Sequence, residues 1–360
     1  MPYGTVNADV IGTSVAGSNI GAGNASIMKN RIINGAMVID QRNACASVTQ
    51  TNAVLYGVDR WYTYGTVASK FTAQQNAGSV TPPVGFTNYW GITSSSAYSV
   101  GTSEQFIISQ AIEGYNTADL GFGTANAKTI TISFWVRSSL TGTFAGGLGN
   151  NANDRSYSFN YTISAANTWE QKTITIAGDT TGTWNTTSAQ GIVVNFSMGT
   201  GSTYQSTANT WVAGNFKNVS GAVNIVGTSG ATFYITGVQL EVGSSATGFE
   251  YVNYQTSLAN CQRYYRDSTI GIGGGVANST TVVLRGTHPT TMRTTPTVGG
   301  ASMTIYLLTV AGSFSQSSFN ANASVTSAAD FTLECANFSG MTAYYPVGMV
   351  SGKLTFSAEL

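Results

Sequence analysis

The chain has 360 residues, with 15 Lys and Arg against 15 Asp and Glu, so its formal net charge is zero. Only 8% of it is charged, against roughly a quarter in an ordinary soluble domain, while 42% is hydrophobic and 42 residues are glycine. This balance excludes a basic face for nucleic acid, excludes intrinsic disorder, and leaves His288 as the one histidine, too few for a site of several His ligands.

Residues 1–29 have no amphipathic period and consist mainly of Gly, Ala, Ser, Asn and Thr, so they cannot build a core. Val6, Val10, Ile11, Val15 and Ile20 punctuate them, and a pure linker rarely keeps β-branched residues. The segment is expected to be extended and to dock on neighbouring chains or on another protein. Residues 30–253 alternate repeatedly with period two. Thr129 to Val136 puts Ile130, Ile132, Phe134 and Val136 on one face, and Tyr157, Phe159, Tyr161 and Ile163 share a face in the next run. Residues 172–176, 191–196 and 232–240 continue the series, separated by Gly-rich turns such as Gly178-Asp179 and Ser229-Gly230. Many short strands without a βαβ rhythm predict a large antiparallel, jelly-roll-like β-sandwich.

Residues 254–267 carry the one helical spacing, with Leu258, Cys261 and Tyr265 at +3 and +4 after Thr256-Ser257, and are expected to be a short helical connector. Strand patterns resume over 279–285, 303–310, 331–335 and 353–356, so residues 268–360 are expected to form a smaller C-terminal β-sandwich. The predicted fold class is therefore all-β. No apolar run approaches the roughly 20 residues of a membrane helix, so membrane insertion is not expected. A basic start followed by a hydrophobic block is missing, which predicts synthesis and folding in a cytoplasm. Cys45, Cys261 and Cys335 are odd in number and far apart; they are expected to be small buried hydrophobes.

Candidate binding residues are aromatic. Trp61 follows Asp59-Arg60 and precedes Tyr62, a cluster able to stack a sugar ring, although the same cluster also suits a buried strand start. Tyr89-Trp90 follows Pro82-Pro83 in an apparent loop, and Tyr344-Tyr345 precedes Pro346; exposed loop aromatics bind at low entropic cost. Glycan cleavage would need two carboxylates at a suitable separation, one of raised pKa. Glu104, Glu113, Asp119, Asp154 and Asp179 are present, but no spacing brings two together, and Asp179 sits in a turn composition. Glu241 is a possible oxygen ligand for a calcium ion, but no metal site and no cofactor is expected. His288 before Pro289 reads as a turn residue, and Gly271-Ile-Gly-Gly-Gly275 lacks the following helix of a phosphate loop.

Several stretches together resemble bacteriophage tail-fibre and virion-fibre proteins. They are Asn24 to Met37, Ile39-Asp-Gln-Arg42, Val58-Asp-Arg-Trp61, Gln110-Ala-Ile-Glu-Gly114, Asp119 to Asn126 and Ser133 to Ser138. Trp169 to Asp179, Ile235 to Glu241 and Cys261-Gln-Arg-Tyr-Tyr265 follow in the same consistent order, so the resemblance covers residues 1–266. It implies a structural virion protein with a body similar to carbohydrate-binding jelly rolls. Residues 1–29 would anchor it to a tail adaptor or capsid protein, and a homotrimer would hide apolar surface between chains. The expected role is a non-enzymatic tail fibre that holds host cell-surface glycans by multivalent contacts. A capsid fibre or decoration protein is the alternative, and a polysaccharide-degrading tailspike is a third reading.

Overall fold

The computed structural model describes residues 28–268, 272–300, 303–307, 313–316, 321–336, 338–341 and 343–360. Val6, Val10, Ile11, Val15 and Ile20, the proposed anchor residues, lie outside the described residues. The chain divides into two compact units between Tyr251 and Val252.

The first unit is an antiparallel sandwich. Its strands in chain order are β1 (Val48–Thr49), β2 (Leu55–Tyr56), β3 (Tyr62–Gly65), β4 (Phe71–Gln75), β5 (Trp90–Ser94), β6 (Gln105–Glu113) and β7 (Ile130–Ser138). They continue with β8 (Gly142–Gly149), β9 (Arg155–Ile163), β10 (Glu170–Ile176), β11 (Gln190–Thr200), β12 (Trp211–Ala213) and β13 (Thr232–Val242). One sheet runs β1-β4-β5-β13-β7-β10, the other β12-β9-β8-β11-β6-β3-β2. The alternation read from the sequence is what faces the sheets together: Ile130, Ile132, Phe134 and Val136 from one, and Phe106, Ile108, Phe159, Phe196 and Ile163 from the other, all enter one core. Aromatic rings tie its centre, with Phe196 5.0 Å from Phe134 and 6.3 Å from Trp61, and Trp61 6.3 Å from Trp90.

The stretch Asn30 to Met37 is a strap stitched to β13. The Arg31 N–H donates to the Leu240 carbonyl at 2.8 Å and the Val238 N–H to the Gly35 carbonyl at 3.0 Å. A Cβ on Gly35 would run into the Val238 carbonyl oxygen, so only glycine allows this approach. Asn34, held at φ 57°, is the hinge of the strap. Its Nδ2 donates to the Ile39 and Asp59 carbonyls, and its Oδ1 accepts from the Val38 and Ile39 N–H groups, all between 2.9 and 3.0 Å. From β6, the Gln110 amide pairs both ways with the Ile33 backbone at 2.8 Å. These side chains replace the sheet ladder that the irregular strap lacks, so its buried backbone groups stay satisfied. Nearby, Cys45 departs from expectation: it is exposed, and its Sγ donates to Gln75 Oε1 at 2.8 Å, because residues 43–45 turn at the surface around the Asp40 carboxylate.

The second unit starts with α1 (Tyr254–Gln262), capped by the Asn253 side chain accepting from the Thr256 N–H at 2.8 Å. The helical spacing stops earlier than its pattern suggested, since Tyr265 belongs to β14 (Tyr265–Ser268) rather than to a connector. The further strands are β15 (Gly273–Asn278), β16 (Thr281–Thr287), β17 (Thr297–Gly300), β18 (Met303–Leu307), β19 (Ser313–Gln316), β20 (Ala321–Thr326), β21 (Asp330–Cys335), β22 (Pro346–Ser351) and β23 (Leu354–Ser357). They make a sheet β14-β23-β17 and a sheet β19-β18-β22-β15-β16-β21-β20. A separate core of Val282, Leu284, Leu333, Val347, Leu354 and Phe356 joins them. The glycines at 273–275 are strand residues: Gly274 lies so close to the Val283 carbonyl of β16 that a Cβ has no room. The described residues are thus all-β in class, as the patterning predicts.

Candidate functional site: an aromatic ledge on the six-stranded sheet

Each sheet of the sandwich has one face turned away from the shared core, and burial separates the two. On the seven-stranded sheet, register aligns Ser109 of β6 with Asn195 of β11, Gly147 of β8 and Ser158 of β9 in one row. That row is already closed. Ser109 Oγ donates to Asn195 Oδ1 at 2.7 Å, Ser206 Oγ donates to Ser158 Oγ at 2.8 Å, and the chain at 216–217 crosses directly over Gly147. Lys217 is buried in this cover, and burial pushes its pKa down to about 8.

The six-stranded sheet keeps its outer face in part open. Trp135 and Arg137 of β7, and Tyr234 and Thr236 of β13, point away from the core, and Trp169 precedes β10 beside them. The loop 80–88 is laid across this face by three fastenings. Trp169 Nε1 donates to the Thr81 carbonyl at 2.9 Å, the Val80 N–H donates to the Tyr89 hydroxyl at 2.9 Å, and Thr236 Oγ1 donates to the Asn88 carbonyl at 2.7 Å. So held, the loop sets Phe86 over Gly237, where a Cβ would come within 2.6 Å of the ring. Gly237 adopts φ 60° at the irregularity between Thr236 and Gln239, so the bulge makes the seat for the ring.

Phe86 there meets two rings from the stretch after β13. Its centroid is 5.1 Å from Phe249 and 5.7 Å from Tyr251, and Phe249 is 5.0 Å from Tyr251. Phe86 and Phe249 are half-buried, Tyr251 is 61% exposed, and the neighbouring Val84 is 100% exposed. The base of the ledge is polar and fixed. Glu241 accepts from Gln239 Nε2, from the Thr247 N–H and from Thr247 Oγ1 at 2.6–2.9 Å, and the Glu250 carboxylate accepts from the Asn30 N–H at 2.6 Å. Donors surround the Glu241 carboxylate, an arrangement that suits a structural anchor and not a cation ligand.

The aromatic candidates from the sequence are placed as follows. Trp61 and Trp90 are 0% exposed in the sandwich core, so a ligand cannot reach them and their assignment to binding is corrected. Tyr89 is corrected likewise: it is buried beneath Trp169 and Tyr234, at 5.5 and 5.1 Å, with its hydroxyl donating to the Ala77 carbonyl. The reason is that Pro82-Pro83 ends its loop contribution at Asn88, and Trp90 already starts β5. In the second unit, Tyr344 is 94% exposed at φ 71°, and Tyr345 is half-buried against the core. Trp61, Tyr89 and Trp90 belong to the first unit, and Tyr344 and Tyr345 to the second. The ledge residues Phe86, Phe249 and Tyr251 were not singled out in the sequence, where the one available signal is the Phe249-Glu-Tyr251 alternation after the last strand.

The candidate acids are engaged elsewhere. Glu104 accepts from the Tyr98 hydroxyl at 2.9 Å and the Gly101 N–H at 2.8 Å, Asp119 pairs with Arg31 at 2.9 Å, and Asp154 accepts from Asn150 Nδ2 at 2.6 Å. Asp179 takes Arg155 in a two-pronged pair, with Nε and Nη2 at 2.8 and 2.7 Å. Burial pushes the Asp179 carboxyl up, but Arg155 and the Thr181 N–H and hydroxyl outweigh it, leaving the pKa below the ordinary carboxylate value. This is the wrong direction for a general acid. A depressed native pKa gives stability that is present above the unfolded-state value of about 3.9 and lost as pH falls through the native one. Asp179→Asn is therefore expected to lose about 3 kcal/mol near pH 7, with the mutant and native unfolding curves converging below pH 4, as measured by urea titration across pH.

Comparison with known proteins gives no matching family model and no matching curated protein. Among solved structures, the enzymatically active domain of tailspike protein 4 from bacteriophage CBA120 is similar at 14% identity and a TM-score of 0.31. That likeness covers 60% of this chain and 22% of the tailspike chain, so this chain spans less than a quarter of it. The family 11 carbohydrate-binding module of Clostridium thermocellum, solved with a mixed-linked tetrasaccharide, is similar at 12% identity and a TM-score of 0.27, covering 57% of this chain and 100% of the module. The module TmCBM61, solved with β-1,4-galactotriose, is similar at 11% identity and 0.27, covering 51% and 88%.

Proposed function

We propose that this chain is a non-catalytic structural protein of a phage virion, a tail fibre that adheres to host cell-surface glycans. The observation that carries the glycan-binding part of the reading is the ledge of Phe86, Phe249 and Tyr251, partly open to water in a chain with only 8% charged residues. The apolar face of a pyranose ring packs on such rings. A single contact of this size is weak. Display of several copies, as in a homotrimer anchored through residues 1–29, multiplies it without new contacts. Tyr344, exposed in the second unit, is a further candidate contact. Engagement of Glu104, Asp119, Asp154 and Asp179 in structural hydrogen bonds supports binding without cleavage.

Gold-labelled antibody against the second unit, imaged on particles of the phage that encodes the chain, tests the placement. Label at the tail is expected, together with no release of reducing sugar from host polysaccharide. Label over the head would make the chain a capsid fibre, and unlabelled particles would remove both assignments.

A further inference from the structure

The second unit holds a cavity of about 410 Å³ that neither the ledge nor the fibre reading uses. Its wall combines Arg266 and Arg285 with Ser268, Thr287 and the exposed Pro289, while Ile272 and Phe331 lie beneath as part of the core. The volume falls within the roughly 300–1,000 Å³ of small-molecule sites. Arg266 is the unusual member. It is only 6% exposed, it donates from Nη1 to the Thr287 carbonyl at 3.2 Å, and its buried Nε has no hydrogen-bond partner among the described residues. Its guanidinium stacks 4.9 Å from the Phe356 ring centroid and 5.8 Å from that of Phe331, which fixes the fork in place. Its strand neighbour Asp267 is turned to Lys353, at 2.7 Å.

A buried cation with an unused donor is costly, and an anion within reach is what relieves it. His288 shares the same two aromatic rings, 4.9 Å from Phe356 and 5.5 Å from Phe331, and neither of its ring nitrogens has a partner among the described residues. Burial, and then the Arg266 charge, push its pKa down to about 4, so it is neutral at pH 7 and brings one N–H donor to this corner. Arg285 is exposed at the rim, across β16 from Thr332.

We infer that this cavity binds the carboxylate of an acidic sugar, with Arg266 and Arg285 on the carboxylate, the Ser268 and Thr287 hydroxyls on ring hydroxyls, and Pro289 against the ring. A planar guanidinium matches a carboxylate, and the hydroxyls and the exposed Pro289 suit the ring that carries it better than they suit a bare inorganic ion. The cavity belongs to the second unit and the ledge to the first, so either reading can fail without the other.

Calorimetric titration of the full chain with sodium glucuronate and with N-acetylneuraminate is the test, with methyl glucoside and inorganic phosphate as the other arms. At least one acidic sugar is expected to bind about tenfold or more tightly than methyl glucoside and than phosphate. Arg285→Gln, at an exposed position, is expected to weaken it about tenfold with an unchanged melting temperature. Arg266→Met is expected to abolish it; because that change alters a buried residue, Arg285→Gln carries the decision. Equal binding of the neutral sugar, phosphate binding as tight as the acidic sugars, no binding of any probe, or an Arg285→Gln chain that binds like the native one would each overturn the inference.

Discussion

Trp61→Ala is expected to lower the stability of the first unit by about 3–5 kcal/mol, the usual cost of deleting a buried indole. The ring is wholly buried, packs on Trp90 and Phe196, and donates from Nε1 to the Asn34 carbonyl at 3.3 Å. Its removal leaves a cavity between the sheets and strips that carbonyl of a donor. Against a total of about 5–15 kcal/mol for an ordinary domain, this is a large share. For a unit of this size it corresponds to a melting temperature lower by roughly 10 °C or more. Thermal unfolding followed by circular dichroism reads it directly. A ligand-contacting Trp61 would behave in the opposite way, with lost binding and an unmoved transition.

Asn34→Ala is expected to cost about as much, on the order of 4 kcal/mol, by a different route. Four hydrogen bonds end on this one side chain, so the Asp59 carbonyl and the Val38 and Ile39 N–H groups lose their partner together, while the Ile39 carbonyl keeps the Asp59 N–H at 3.0 Å. Each buried group left unsatisfied costs about 1–3 kcal/mol, less where water reaches it, and these costs are not additive. Alanine also resists the φ of 57°. Asn34→Gly removes that strain while still losing the hydrogen bonds, so it is expected to recover about 1 kcal/mol of the loss. Urea unfolding of the pair separates the two causes. An Asn34→Ala chain within about 0.5 kcal/mol of native, as for an ordinary surface change, would show the strap to be dispensable.

These two residues also show what the sequence could and could not convey. Period-two alternation identified the strands and their core faces, because one buried face is the strongest constraint a strand carries. The stretch Asn30 to Met37 stood out as a shared motif, and its use is internal: Asn30, Asn34 and Gly35 close backbone groups of the strap against β13. A motif of this kind reports the fold and says little about the ligand. Whether an aromatic is exposed depends on which loop crosses it, and that is a tertiary fact. Tyr89 and Trp90 follow two prolines, yet the loop ends before them, whereas Phe86 inside it reaches the surface ledge. Phe249 and Tyr251 join it from a stretch more than 160 residues later, a distance no local pattern spans. Arg266 was hidden for a similar reason, since the apparent helix 254–267 places it on a connector while β14 turns it into a core-lined cavity.

The most direct test of glycan adhesion through the ledge is retention of the full chain on immobilised host surface polysaccharide, native beside the Phe86→Ala/Tyr251→Ala double variant. Loss of two stacking rings at about 0.5–1.5 kcal/mol each predicts binding weakened roughly tenfold or more. The fold should survive, because both rings sit outside the sandwich core. Native-like retention by a folded double variant, or no retention of the native chain on any host polysaccharide, would contradict the account.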